Sequence, residues 1–303
     1  MNGRGHLALW NSPEWVLARQ ACELDDTTLL DQAILMSPAE DLDNLYGLVR
    51  RQATKNNATA ILHNLIERGV SVVPQFPAGA VGASKETLKL LLAHGWDINA
   101  RADTPNEAEP FMWLVSYDGE LVKWCLDHGA SVHPRGQEPL SDDVITKSQQ
   151  MCETMLEKIA TSGTVAMFEL LRSKGAPLGW RPLHHAVEAA TYGRDGQEGD
   201  DEKLGERMAM VRHLLDVVGL DVNAPDQPVG GKALPMRCGT PICYIPASGM
   251  LERDTRELTW LLLDRGADPA PALEIAKRDY PKFAEDVKAW KLQQGSSSKC
   301  CLQ

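Results

Sequence analysis

The sequence lacks a long apolar run, an excess of positive charge and any paired framework of cysteines. No stretch approaches the roughly 20 apolar residues that span a bilayer, and no apolar signal region follows the first Met. Acidic residues outnumber basic ones by 42 to 31, giving a net charge of −11. Since nucleic-acid binding depends on a basic surface, we expect no nucleic-acid partner. Seven scattered cysteines favour a reducing compartment, so we expect the protein in the cytoplasm, with the nucleus left open.

Motifs for catalysis are also absent. Residues 230–232 (GGK) lack the earlier Gly and the following Ser or Thr of a phosphate-binding loop. The sequence has no His-Glu-x-x-His and no Gly-x-Ser-x-Gly nucleophile motif. We therefore predict a protein that is not an enzyme, has no catalytic residues and uses no cofactor.

One set of residues could in principle bind a metal ion. Cys238 and Cys243 are separated by a spacing at the loose edge of zinc sites, and His184 and His185 are adjacent elsewhere in the chain. The same residues are explained more simply as a buried structural histidine and small buried thiols. We therefore predict no metal site.

What the sequence does contain is one recurring phrase, an apolar helix followed by Gly and a short extended tip. Six copies occur, at residues 61–72, 87–99, 121–133, 166–178, 208–223 and 258–269. Leucines such as Leu88, Leu91 and Leu92 form one apolar helical face. The glycines that follow the helices are at positions 69, 95, 129, 175, 219 and 266. A glycine at this place predicts a left-handed residue that ends the helix.

The phrase resembles the repeat of the ankyrin family. Residues 181–187 (RPLHHAV) and 239–243 (GTPIC) occupy the place of its Thr-Pro-Leu-His-x-Ala signature, and residues 99–103, 223–226 and 266–269 resemble its tips. Helical solenoids of the HEAT and tetratricopeptide types lack such tips. The resemblance implies an all-α solenoid of about six stacked helix pairs over residues 38–292, with short tip loops and expanded, degenerate repeats.

Both ends of this region suggest capping helices. In residues 1–37 we expect two extra helices, with starts signalled by Ser12-Pro13 and Ser37-Pro38, where Glu40 would complete a capping box. Residues 272–292 predict a last helix pair broken by Pro281. The charged insertion at 193–207 predicts a solvated loop, and residues 293–303 predict a flexible tail.

The tail carries a lipidation motif. Cys300 is the fourth residue from the end and Gln303 is the last, a pattern that matches a prenylation box for a farnesyl group. One lipid chain supports only reversible membrane attachment, and an acidic protein is repelled by an anionic leaflet. We therefore expect partial association with the cytosolic face of membranes.

These observations predict an intracellular adaptor that binds another protein through its tips and inner helices. Tryptophan and arginine dominate binding energies at protein interfaces, so they are favoured as contacts. The residues predicted to form the binding surface are Trp96, Asn99, Arg101, Arg135, Trp180, Arg181 and Asp226. The alternative is a soluble regulatory binding module, such as a transcriptional coregulator, with an unmodified tail.

Overall fold

The protein is all-α in the part of the chain that its computed structural model describes. That part comprises residues 10–101, 109–133, 154–191, 200–226, 238–247 and 254–300. These residues contain no strand, and none of their helices is long and apolar enough to cross a membrane. The chain forms two compact units, Met1–Val115 with Glu120–Pro134, and Ser116–Gly119 with Arg135–Gln303.

The first unit is built from consecutive helices. They are α1 (Pro13–Leu24), α2 (Thr27–Met36), α3 (Leu42–Asn56), α4 (Thr59–Glu67), α5 (Lys85–Ala93), α6 (Phe111–Leu114) and α7 (Gly119–Asp127). Two 3₁₀ turns, Ala39–Asp41 and Pro77–Ala80, precede α3 and α5. The core between the helices contains fully buried leucine and isoleucine side chains, namely Leu30, Leu45, Ile61, Leu62 and Leu65.

Short connections fold these helices into pairs. Residues 25–26 join α1 to α2 and residues 57–58 join α3 to α4, so the chain reverses direction within each pair. Asp25 and Asn57 make these turns in the left-handed conformation, with φ of 52° and 58°. The first pair packs on the second, α1 against α3 and α2 against α4.

The second unit is also built from consecutive helices. Its helices are α8 (Met155–Ser162), α9 (Val165–Ser173), α10 (Pro182–Thr191), α11 (Asp200–Asp216), α12 (Tyr244–Ala247), α13 (Arg256–Asp264), α14 (Ala270–Asp279) and α15 (Pro281–Cys300). The helices α8, α10, α12 and α14 contact one another in chain order, and α9 contacts α11. Each helix pair therefore packs mainly on the pairs that precede and follow it.

The six predicted glycine helix ends are confirmed. Every one of these glycines has a positive φ, between 77° at Gly69 and 92° at Gly95. The residue that follows the glycine then donates its N–H back into the helix, as from Val70 to Leu65 O at 2.9 Å and from Ala267 to Leu262 O at 3.0 Å. These bonds satisfy carbonyls that the helix ends would otherwise leave free.

Of the two predicted helix starts near the N-terminus, one is formed. Ser12 caps α1 by accepting the N–H of Trp15 at 3.3 Å. Ser37 instead follows the end of α2, and its buried hydroxyl has no hydrogen-bond partner. The predicted capping box with Glu40 is absent because Pro38 and a 3₁₀ turn precede α3. The N-cap of α2 was not predicted from the sequence. It is Asp26, whose side chain accepts the N–H groups of Thr28 and Leu29.

Two segments predicted to be irregular are helical in part. The charged insertion predicted as a loop over 193–207 enters α11 at Asp200, and its first residues lie outside the described ones. The tail predicted to be flexible from residue 293 continues α15 as far as Cys300. Gln294 Nε2 donates to Asp264 Oδ1 at 3.3 Å, which holds this part of α15 against α13. The predicted break between α14 and α15 at Pro281 is present.

Candidate interaction surface

Trp180 is the predicted contact residue that the structure leaves most exposed. Its side chain is 51% exposed. The indole Nε1–H donates to Pro225 O at 3.0 Å, and the backbone N–H donates to Glu157 Oε1 at 2.8 Å. Both hydrogen bonds hold one exposed aromatic ring in a fixed position. Such a ring can contact a partner with little loss of conformational entropy.

Gly179 allows the backbone to place Trp180 in this position. Its φ is +80°, and a Cβ atom there would lie 2.6 Å from Glu157 Oε1. No other residue type can place its backbone so close to the buried carboxylate without displacing it. The glycine and the carboxylate therefore position Trp180 together.

Asn99 is half-buried and forms two hydrogen bonds within the protein. Its Nδ2 donates to Gly129 O at 2.9 Å, and its Oδ1 accepts the N–H of Ser131 at 2.7 Å. The side chain therefore joins its own tip to the next one along the first unit. We assign Asn99 a structural role in aligning these tips.

The same bridge recurs in the second unit at a residue that was not predicted. Asn223 Nδ2 donates to Gly266 O at 2.9 Å, and Oδ1 accepts the N–H of Asp268 at 2.8 Å. The sequence held a signal for it, since Asn223-Ala224 parallels Asn99-Ala100.

Three other predicted contacts are buried, which corrects their assignment as exposed tip residues. Trp96 is 4% exposed and packs edge-to-face on Phe111, with ring centroids 5.1 Å apart. Arg181 is also 4% exposed, and Asp226 is 3% exposed. Trp96 belongs to the core of the first unit because the backbone after Gly95 turns it inward. A sequence pattern identifies a tip but does not show which of its side chains points to solvent.

Arg181 and Asp226 each take part in a helix-start network. The N–H of Arg181 donates to Glu157 Oε1 at 2.7 Å, so that a carboxylate from α8 caps the beginning of α10. Asp226 Oδ2 accepts the N–H of Gly239 at 2.8 Å and the hydroxyl of Tyr244 at 2.9 Å. Burial and the nearby Asp226 carboxylate raise the pKa of Tyr244, so the phenol stays a hydrogen-bond donor.

Two predicted contacts remain, Arg101 and Arg135. Arg101 is half-buried. Arg135 lies outside the described residues.

The histidines of the repeat signature are buried and neutral. His184 Nε2 lies 3.0 Å from Ala224 O and donates to it, and burial lowers the pKa of His184 to about 4. Burial, with Arg181 nearby, lowers the pKa of His185 to about 3. His185 Nδ1 lies 3.8 Å from Glu188 Oε2, but a neutral imidazole at this distance forms no ion pair. Both histidines therefore act as packing residues at neutral pH.

The two cysteines near them are protonated. Burial raises the pKa of Cys238 to about 11 and also raises that of Cys243. Metal ligation needs the thiolate, which these surroundings disfavour. Within the described ranges there is no group of three or more His, Cys, Asp or Glu side chains that could hold a metal ion.

Comparison with known proteins gives no family for this chain. No family model matches it, and no curated protein matches it.

Proposed function

We propose that the protein is an ankyrin-type adaptor whose stacked helix pairs bind another protein. Three observations support this proposal. The helix pairs follow one another in chain order, each of the six glycines ends a helix at positive φ, and Asn99 and Asn223 bridge successive tips in the same way. A protein built from such pairs offers an extended surface rather than a pocket, and binding resides on that surface.

Trp180 is the residue that we propose as the main contact of this surface. It is exposed, aromatic and held in place by Glu157 and Pro225. Aromatic residues of this kind contribute most of the binding energy at many interfaces. Trp180 is therefore the observation on which the binding proposal depends.

The second part of the proposal is farnesylation at Cys300. Modification requires an extended peptide, whereas the backbone at Cys300 is helical. Residues 295–298 read Gly-Ser-Ser-Ser, which are poor helix formers, so the last turns of α15 can open at small cost. A single lipid then provides reversible attachment, because the net charge of −11 opposes binding to anionic lipid.

Affinity capture from the native host tests the binding site. We expect the wild-type protein to retain a specific partner and Trp180→Ala to lose at least about 90% of it, since loss of a central aromatic contact costs about 2 kcal/mol or more. Tyr117→Ala is the matched control, because Tyr117 is also aromatic and 69% exposed. Equal capture by both variants would remove Trp180 from the proposal.

Intact mass of the protein from its own host tests the lipid. The proposal requires the mass of a farnesyl group together with loss of the three residues after Cys300. Cys300→Ser should then be absent from the membrane fraction while it still binds the partner. An unmodified end at Gln303 would favour the alternative, a soluble regulatory module such as a transcriptional coregulator.

A further inference from the structure

The last helix, α15, presents two lysines and a leucine on its outward side. Phe283 and Asp286 are fully buried, so they mark the side of α15 that packs on the rest of the second unit. At 100° per residue, Lys288 and Leu292 project from the opposite side, and Lys291 lies beside them. All three side chains are exposed, and Leu292 is 65% exposed. We call Lys288, Lys291 and Leu292 the basic face.

Contacts with α13 keep the basic face outward. Trp290 Nε1–H and Gln294 Nε2 donate to Asp264 Oδ1 at 2.7 Å and 3.3 Å. Asp264 is the last residue of α13, and it binds the inner side of α15. These bonds fix α15 as far as Gln294, so the basic face stays formed when residues 295–299 open for modification of Cys300.

The charge at this end of the chain is positive. Residues 287–303 contain three lysines and no acidic residue, and so carry a side-chain charge of +3. On the outward side of α15, the exposed Glu285 lies one turn before Lys288 and is therefore farther from Cys300. The end of the chain thus differs in sign from the whole protein, whose net charge is −11.

We propose that the basic face binds the anionic headgroups of a membrane to which a farnesyl group tethers the chain. The inference rests on the farnesylation of Cys300 proposed above. A single lipid holds a protein at a membrane only weakly, and a basic segment beside the lipid is a common second source of attraction. Lys288 and Lys291 supply that attraction, and the exposed Leu292 between them can enter the interfacial region.

The tether keeps the basic face close to the membrane. Gln294 and Cys300 are six residues apart, and a flexible Gly/Ser chain of that length spans roughly 13 Å on average. Charges that lie more than the Debye length of about 8 Å from the lipid surface are largely screened at physiological salt. The lysines beside the tether therefore act on the headgroups, and the net charge of the whole chain does not cancel their attraction.

Binding of the lipidated full chain to vesicles tests this proposal. A farnesylated C-terminal peptide is ligated to the rest of the protein, so the test does not require a host that modifies Cys300. At physiological salt, vesicles of phosphatidylcholine with phosphatidylserine should bind the wild type at least about tenfold more strongly than phosphatidylcholine alone, since one lysine near an anionic surface contributes about fivefold. Lys288→Glu with Lys291→Glu should abolish this preference and leave binding to phosphatidylcholine unchanged.

Lys85→Glu with Lys89→Glu is the matched control, because these lysines of α5 are also exposed and their replacement changes the net charge equally. The control should keep the preference for phosphatidylserine, and circular dichroism confirms that both double variants are folded. Equal binding of the wild type to the two kinds of vesicle would overturn the proposal and leave the basic face to a protein partner. A control that loses the preference as completely as the variant of Lys288 and Lys291 would overturn it as well. Intact mass of the protein from its host, by contrast, tests the farnesylation alone.

Discussion

At the scale of single residues, the position of α10 depends on one buried carboxylate. Glu157 is fully buried, and its Oε1 accepts the N–H groups of both Trp180 and Arg181. A charged acceptor at the start of a helix satisfies donors that have no partner inside the helix. Glu157 thereby links the stability of α10 to the placement of the exposed Trp180.

Replacement of Glu157 should therefore be costly. Glu157→Ala removes the acceptor of the buried Arg181 N–H and of the part-buried Trp180 N–H, and we expect the free energy of unfolding to fall by about 2–4 kcal/mol. Glu157→Gln keeps an amide oxygen at the same place and should lose about 1 kcal/mol. Urea denaturation of the two variants measures the difference, and equal losses would show that the acceptor does not matter.

His185 should make stability depend on pH. Its pKa falls from 6.5 to about 3 on folding, so the unfolded chain binds a proton that the folded protein excludes. The stability that depends on these neutral histidines is therefore complete above pH 6.5. Below pH 6.5 each histidine lowers the free energy of unfolding by about 1.4 kcal/mol per pH unit, His184 down to about pH 4 and His185 down to about pH 3.

His185→Leu removes one of these terms. We expect its free energy of unfolding to decrease less steeply than that of the wild type between pH 6.5 and about pH 4. The exposed His63→Leu is the control and should retain the wild-type slope. A variant with His185→Leu that matches His63→Leu over this range would contradict the assignment of a buried neutral imidazole.

The sequence predicted residue types better than residue environments. The recurrence of Gly and Asn at the tips was readable, but the exposure of a side chain depends on how the next helix pair covers it. Trp96 and Trp180 both follow a helix-ending glycine within a few residues, yet one is buried against Phe111 and the other is exposed. Glu157 could not be predicted because its partners are more than 20 residues away.

At the scale of elements, each glycine at a helix end has a conformational rather than a steric role. Gly95 has φ of +92°, and a Cβ atom there would meet nothing within 4 Å. Gly47, inside α3, also has open space around it but no positive φ. Both sites have room for a Cβ atom, so they differ in backbone conformation and not in crowding.

The same substitution should therefore have opposite effects at the two sites. Gly95→Ala should destabilise the protein by about 1 kcal/mol, because Ala is strained at positive φ. Gly47→Ala should stabilise it by about 0.5–1 kcal/mol, because Ala is the better helix former. Thermal unfolding of both variants checks the signs, and a stable Gly95→Ala would contradict the left-handed helix end.

Helix type and order were predictable, whereas several boundaries were not. The period of the apolar residues marks the second helix of each pair clearly. The beginning of α3 and the extent of α15 depend on contacts between elements, such as Trp290 Nε1–H to Asp264 Oδ1 at 2.7 Å. The local sequence at Ser37 predicted a helix start, and residues 295–298 predicted a flexible tail. The structure differs from both predictions because the local sequence does not show contacts between elements.

At the scale of the whole molecule, contacts between successive pairs combine a buried apolar part and an exposed charged part. On the second helices, Asp216 binds Arg265 at 2.8 Å and Glu169 lies 2.7 Å from His213. An exposed ion pair such as that of Asp216 with Arg265 contributes little to stability, so the apolar faces between pairs provide most of it. These polar contacts instead help to align one pair with the next.

The proposed function assigns binding to an exposed surface, with Trp180 as its centre. A photo-reactive phenylalanine analogue at position 180, introduced into the protein in its native host, tests this claim most directly. We expect irradiation to give one specific adduct with a partner protein, suppressed by excess wild-type protein. The same analogue at Tyr117 should give none. No adduct at position 180, or the same adducts at both positions, would contradict the account.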